Sequence, residues 1–351
     1  MDVKLFQNKL LSWYGKNRRD LPWRRTKDIY AIWLSEVMLQ QTQVKTVLNY
    51  YTAFLKQFPT IGALAIADEQ RLLKSWEGLG YYSRIRNFKK AAELIVTEKS
   101  GQIPETFDQF HSLPGVGSYI AAAVLSIGFG LPYAVVDGNV KRVLSRLLLI
   151  ESPVNEQKYL TTYQEAADRL LFRKSSGQHN QAMMELGALI CTPQNPGCSH
   201  CPVASICKAK VQNKVDIFPR RTKKKKRTDF YKIVYVPKND SPLLWLVKRP
   251  DSGLMAGFWE LPSLEEEKSP QTVRENVGEE KALYLGSVSH IYTHRRETIN
   301  IYQTAKLPVA IEKKDQIAWI ISLKNLDDYP LSGITRKALD KYLENRDNSE
   351  D

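Results

Sequence analysis

The run RRTKKKKR, Arg220 to Arg227, separates two stretches of chain whose hydrophobic periods differ, and that change constrains the fold most. From Val3 to about Lys210 apolar residues recur at helical spacing, with Gly or Pro between the runs. Ile29 to Phe58 reads as one helical segment, with Val37, Val44, Leu48, Tyr51 and Leu55 on one stripe and Pro59 as its stop. Further helical runs are expected at Asp68–Trp76, Ile85–Glu98, Tyr119–Gly128, Val140–Ile150, Tyr159–Phe172 and Gln181–Cys191. From Phe230 the pattern alternates, in FYKIVYV, LLWLVKR, ETINIYQTA and IAWII, before a helical tail at Thr335–Glu344. The expectation is a multidomain chain: an all-α region over 1–210, a basic linker over 211–229 and an α+β domain over 230–345.

The chain carries a net charge of +13; the basic run holds seven cations, which leaves +6 on the rest. That surplus favours a polyanionic partner such as nucleic acid, although the run taken alone is equally a solvated linker. No window of 18 uninterrupted apolar residues exists, so no membrane partner is expected. The start, MDVKLFQNKLLSWYGKNRRDLPW, has no apolar h-region, and a cytoplasmic protein is expected.

Three features carry chemistry. In LSEVMLQQTQV, Leu34 to Val44, helical spacing sets Glu36 among Ile32, Trp33, Leu39 and Gln40. A carboxylate held there loses hydration and its pKa rises, which suits a general acid; the alternative is an edge glutamate whose head reaches water. Second, all four cysteines, Cys191, Cys198, Cys201 and Cys207, fall in one Pro-rich loop with intervening counts of six, two and five. Four thiolates on one metal centre fit a cytoplasmic chain better than two disulfides, and zinc and iron–sulfur fit the composition equally. Third, Leu113-Pro114-Gly115-Val116-Gly117 precedes a helix, and its two glycines let backbone approach another molecule closely, or simply make a tight turn. Asp137 stands before an amphipathic helix and reads by itself as an N-cap.

The Cys-x6-Cys-x2-Cys-x5-Cys loop behind a helical region, with LPGVGSY some 70 residues upstream, resembles the endonuclease III, or helix–hairpin–helix, superfamily of DNA glycosylases. The resemblance implies a structural 4Fe–4S cluster on the four cysteines over 191–207. It also implies a hairpin near 107–128 whose Gly115 and Gly117 grip a DNA phosphate, and a charge-stabilising carboxylate at Asp137. Members that also cut the strand carry a lysine nucleophile two residues after the second hairpin glycine; here Tyr119 stands there and forms no Schiff base. With DLPWR, SEVMLQQTQV, GLGYYSR, VDGNVKRVLSR and NQAMMELGALIC, the chain resembles the adenine DNA glycosylase (MutY) family.

That resemblance implies Glu36 as the acid that protonates adenine, with Tyr119 steadying the cationic sugar and Asn139 orienting Asp137. Arg24, Leu39 and Gln181 would line the adenine pocket, Gln41 would fill the hole left by the flipped base, and Tyr81 would press into the duplex. RPDSGLMAGFWELP and HIYTH resemble the family's Nudix-like domain, which reads 8-oxoguanine; Tyr292 and Thr293 replace the usual Phe and Ser, and His294 is kept. The nearest approach to a Nudix hydrolase signature, Arg274 to Glu280, has one residue too many, so this domain is expected to read DNA. The implied function is hydrolytic removal of adenine opposite 8-oxoguanine or guanine in double-stranded DNA, by a monomer, with no metal in the bond-breaking step. A bifunctional lyase and a non-catalytic iron–sulfur DNA-binding protein are the alternatives; Tyr119 opposes the first, and Glu36 with Asp137 the second.

Overall fold

The computed structural model describes every residue except 224–226, 239–240, 254, 267–281, 293–294, 308–310, 312–317 and 348–351. The chain forms two units, Met1–Ile66 with Ser83–Lys224, and Ala67–Tyr82 with Lys225–Asp351. The sequence pattern assigns residues 67–82 to the helical region; the structure groups them with the C-terminal residues, through side-chain partners described below.

The first unit is helical: α1 (Val3–Asn17), α2 (Ile29–Leu39), α3 (Val44–Gln57) and α4 (Ile61–Ala65), then, after α5 (Glu69–Ser75) of the second unit, α6 (Ser83–Glu98). It continues with α7 (Phe107–His111), α8 (Ser118–Gly128), α9 (Gly138–Leu148), α10 (Leu160–Leu170), α11 (Ser176–Leu189) and α12 (Lys208–Val211). Helix α2 is buried around its whole circumference from Tyr30 to Met38, Ser35 and Glu36 included. Against it lies α8, buried from Ile120 to Ser126.

The helix expected across Ile29–Phe58 is broken. Helix α2 stops at Leu39, Gln41 takes φ 55°, and α3 starts at Val44. The cause lies elsewhere in the chain: buried Arg84 donates from Nη1 to the carbonyls of Val37 (2.9 Å), Met38 (2.8 Å) and Gln40 (2.6 Å). A guanidinium on the last carbonyls satisfies acceptors that a continuing helix would have used. The break resets the phase, so Val47, Tyr51 and Phe54 face the core while Leu48 is exposed.

Two local devices set up the site. In the hairpin before α8, Gly115 has φ +75°, and a Cβ there would lie 2.6 Å from Asn87 Cβ, so only glycine fits. Ahead of α9, buried Asn180 accepts from Val135 N (3.1 Å) and donates to Tyr133 O (2.8 Å) and Ser126 Oγ (2.8 Å), pinning the segment that delivers Asp137.

In the second unit β1 (Thr228–Val236), β2 (Leu243–Lys248), β3 (Trp259–Glu260), β4 (Ser263–Glu266), β5 (Leu283–Ile291), β6 (Arg295–Gln303) and β7 (Ala318–Ser322) precede α13 (Gly333–Asp347). They form sheets of order β4-β1-β6-β5 and β3-β2-β7; β1 and β6 run parallel and the other pairs antiparallel. Alternate residues of β1 serve two cores: Val234 and Val236 join Leu339 and Tyr342 of α13, while Ile233 and Tyr235 join Tyr302 and Ile311. Among the described residues no helix is long and apolar enough to cross a membrane.

Candidate active site

Helices α2, α8, α9 and α11 surround a cavity of about 560 Å³ in the first unit. Its lining brings together Arg24, Glu36, Leu39, Tyr119, Asp137, Asn139 and Gln181. These are all the residues to which the sequence assigns bond breaking or adenine contact. Glu36 is 4% exposed and accepts a 2.6 Å hydrogen bond at Oε2 from the Tyr119 hydroxyl. Burial is the main force that pushes its pKa up to about 7; the Asp137 charge adds to the rise, while Tyr119 and Arg24 pull the other way. Burial and both carboxylates also raise the pKa of Tyr119, so it stays a neutral phenol able to donate.

Asp137 caps α9. Its Oδ1 accepts from Val140 N at 2.6 Å, and its Oδ2 accepts from Asn139 Nδ2 at 3.0 Å. Burial raises its pKa against the pull of those hydrogen bonds. Asn139 Oδ1 in turn accepts from Arg142 Nη2 at 2.8 Å, and Arg142 Nε reaches the Cys191 carbonyl at 2.6 Å. Helix α11 comes close enough here that a Cβ on Gly187 would lie 2.7 Å from Asn139 Cβ.

One lining carboxylate escapes the sequence reading. Glu185 is 1% exposed and receives Arg19 Nη2 at 2.6 Å and Arg24 Nη2 at 2.9 Å on Oε2, with further bonds from both arginines on Oε1. Burial alone would raise its pKa; the two guanidinium groups win and hold it at about 2. The cavity thus contains three carboxylates: burial raises the pKa of Glu36 and of Asp137, whereas the arginines keep Glu185 ionised down to about pH 2. A pKa near neutrality, buried beside Tyr119, suits Glu36 to proton donation, and the ion-paired Glu185 is unsuited to it.

Residues 34–167 match the HhH-GPD superfamily base excision DNA repair protein family, and residues 233–341 match the NUDIX domain family. The chain is 37% identical over 366 residues to the adenine DNA glycosylase of Mus musculus, covering 87% of this chain and 71% of that protein. The chain belongs to the adenine DNA glycosylase family. A second member, from Buchnera aphidicola subsp. Acyrthosiphon pisum, is 29% identical over 98% of this chain and 99% of its own. Among solved structures, a thermostable thymine-DNA glycosylase superposes with TM-score 0.56 at 27% identity, covering 60% of this chain and 97% of that one. Endonuclease III in a trapped covalent DNA complex shares the fold, with TM-score 0.52 at 19% identity over 61% of this chain and 99% of that one.

In this adenine DNA glycosylase family member Cys191, Cys198, Cys201 and Cys207 line one cavity, together with apolar Val143, Leu147, Leu186 and Val203. Arg146 approaches Cys191 Sγ at 3.4 Å and donates to Thr192 O (2.7 Å) and Pro193 O (3.2 Å), fixing the loop to α9. Among the described residues no three His, Cys, Asp or Glu side chains close on a point that would hold a single ion. The four cysteines instead share the lining of one cavity.

None of the described residues assigned to DNA contact is among the residues that line the cavity. Gln41 is exposed in the α2–α3 break, and Gly115 and Gly117 are exposed in the hairpin at the free N-terminus of α8. Tyr81, in the second unit, takes φ 50° after Gly78 (φ 92°) and Gly80 (φ 70°), with its ring 43% exposed. Tyr292 closes the β5–β6 turn by donating its N–H to Arg295 O at 2.8 Å, and its ring lies 5.5 Å from the Arg295 guanidinium. Thr293, His294 and the stretch 274–280 lie outside the described residues.

Proposed function

We propose that the chain hydrolyses the N-glycosidic bond of adenine opposite 8-oxoguanine or guanine in duplex DNA, without cutting the strand. The observation that carries this reading is the burial of Glu36, its pKa pushed up to about 7, with a 2.6 Å hydrogen bond from Tyr119 in a cavity shared with Asp137. A base turned out of the duplex into this cavity takes the Glu36 proton on a ring nitrogen. The bond from N9 to C1′ then breaks, its electron pair leaving with the neutralised base. Positive charge left on the deoxyribose is stabilised by Asp137, and water adds at C1′ and gives up a proton to a carboxylate. The phenol at Tyr119 is held as a donor and supplies no amine, so no covalent lyase intermediate forms. The test is single-turnover release from a duplex with adenine opposite 8-oxoguanine, read with and without alkali. Breaks only after alkali, and fewer with guanine opposite, support the reading; breaks without alkali sink it.

We assign reading of the 8-oxoguanine to the C-terminal domain, through the turn that carries Tyr292. Thr293→Ala with His294→Ala is expected to lower the preference for 8-oxoguanine over guanine about tenfold, each lost hydrogen bond being worth roughly 0.5–1.5 kcal/mol. Intrinsic release from the guanine mispair should change less. Equal losses on both duplexes would mean that this turn only positions the domain.

We infer that Cys191, Cys198, Cys201 and Cys207 hold a 4Fe–4S cluster. Four thiols around one apolar cavity, beside the cationic Arg142 and Arg146, suit a group larger than one ion. Such a group would brace the 191–207 loop and, through it, the end of α11. Iron and sulfide content with the purified chain's visible absorption tests this. Cys198→Ser is expected to lower both and to lower the melting temperature; a chain carrying one zinc would overturn it.

A further inference from the structure

Residues 67–82 lie in sequence between helices of the first unit, yet their side chains fasten to the C-terminal residues of the second. The Gln70 amide on α5 is used twice, donating from Nε2 to Gly257 O (3.3 Å) and accepting from Trp259 Nε1 (2.9 Å). One turn on, Lys74 Nζ reaches the Tyr329 carbonyl at 3.3 Å. Glu77 then pairs with Arg336 Nε at 2.8 Å, and Arg336 Nη2 is itself held by Asp327 at 3.1 Å. At the end of the segment the rings of Tyr82 and Phe258 meet at 4.1 Å between centroids, and Phe258 is fully buried.

The turn between these fastenings is closed on itself. Trp76 Nε1 donates to Gly80 O at 3.2 Å, and the Tyr82 hydroxyl accepts from Gly78 N at 3.2 Å. Tyr81 at its apex takes a left-handed backbone conformation. A bulky residue keeps such a conformation only where its surroundings over-determine it.

We propose that Gln70, Glu77, Trp259 and Arg336 are positioning residues for Tyr81. The C-terminal domain holds the 78–81 turn in the shape that presents the Tyr81 ring to a duplex, so reading of the opposite base and insertion of Tyr81 are done by one body. The proposal rests on the glycosylase reading for its biological meaning, though its readout does not require base release.

The test uses the full chain and a duplex with 2-aminopurine opposite 8-oxoguanine, whose fluorescence rises when the base unstacks. Arg336→Ala is expected to lower that rise about fivefold, as fits loss of a part-exposed ion pair plus a loosened turn. Tyr81→Ala should lower it as well, and the double variant should fall no further. Arg336→Lys should recover most of the signal, and Trp259→Phe, which keeps an aromatic ring but loses the Nε1 donor and part of the indole's volume, should fall in the same direction as Arg336→Ala. Melting curves for each variant separate this from unfolding. Equal factors for Arg336→Ala with and without Tyr81, or unchanged unstacking in both Arg336→Ala and Trp259→Phe, overturn the proposal. Wild-type protein that unstacks the base with this dependence but releases no adenine supports the anchor and overturns the glycosylase reading.

Discussion

Glu36→Gln is expected to lower single-turnover adenine release by roughly 10²–10⁴-fold, the range for loss of a general acid. Binding to the mispaired duplex should persist, because the amide oxygen still accepts from the Tyr119 hydroxyl and fills the same volume. The pH dependence follows from the same side chain. Glu36 must carry a proton to give one away, and its pKa stands at about 7. Release should therefore fall about tenfold per unit above pH 7, with the protonated fraction of Glu36, and fall again in acid as Asp137, whose pKa burial raises, takes up a proton. A profile flat to pH 9, or release that survives in Glu36→Gln, would remove the glutamate from this role.

In Glu36→Gln stability should move opposite to activity. The folded chain holds the Glu36 proton up to about pH 7, whereas an unfolded chain releases it near the ordinary glutamate value of 4.5. Protonation favours the folded state, so the contribution of Glu36 is fully present below about pH 4.5 and is lost as pH rises through 7. At 1.36 kcal/mol per unit, the loss is on the order of 3 kcal/mol above pH 7. Glu36→Gln carries no such penalty and is expected to melt higher than wild type at pH 8. The gain should shrink as pH falls toward 5. A residue kept for stability would show the reverse.

The burial of Glu36 was legible because desolvation follows from periodicity: a helix that places Ile32 and Trp33 one turn before Glu36 buries whatever stands there. Asp137 was legible as a cap for the same local reason. What sequence reading lost was decided at long range. Nothing in QQTQ forbids a helix, and the break there depends on Arg84, more than forty residues on, gathering the carbonyls of Val37, Met38 and Gln40. The allegiance of residues 67–82 likewise rests on Trp259 and Arg336, contacts no local pattern encodes. Glu185 is different, since a signal was available. It stands four residues after Gln181 on one helix face, and the cations of NRRDLPWRR need a buried partner.

The second large effect is expected at Asp137, where one side chain does two jobs with two oxygens. Oδ1 caps α9 through Val140 N, and in the proposed reaction the carboxylate supplies the negative charge that stabilises the sugar cation. Asparagine keeps an acceptor for Val140 and is as good an N-cap as aspartate, so Asp137→Asn should change stability by less than about 1 kcal/mol. It removes the charge, and release should fall by roughly 10²–10³-fold, as for loss of one preorganised electrostatic stabiliser. Asp137→Ala removes both functions and should add a loss of about 1 kcal/mol in stability to the same kinetic defect. The two carboxylates are coupled, because the Asp137 charge is one of the causes that raise the pKa of Glu36. In Asp137→Asn the residual activity should therefore begin its decline at lower pH than in wild type. A variant that keeps its rate within threefold would reduce Asp137 to a cap; one that loses rate with an unmoved profile would separate it electrostatically from the acid it faces.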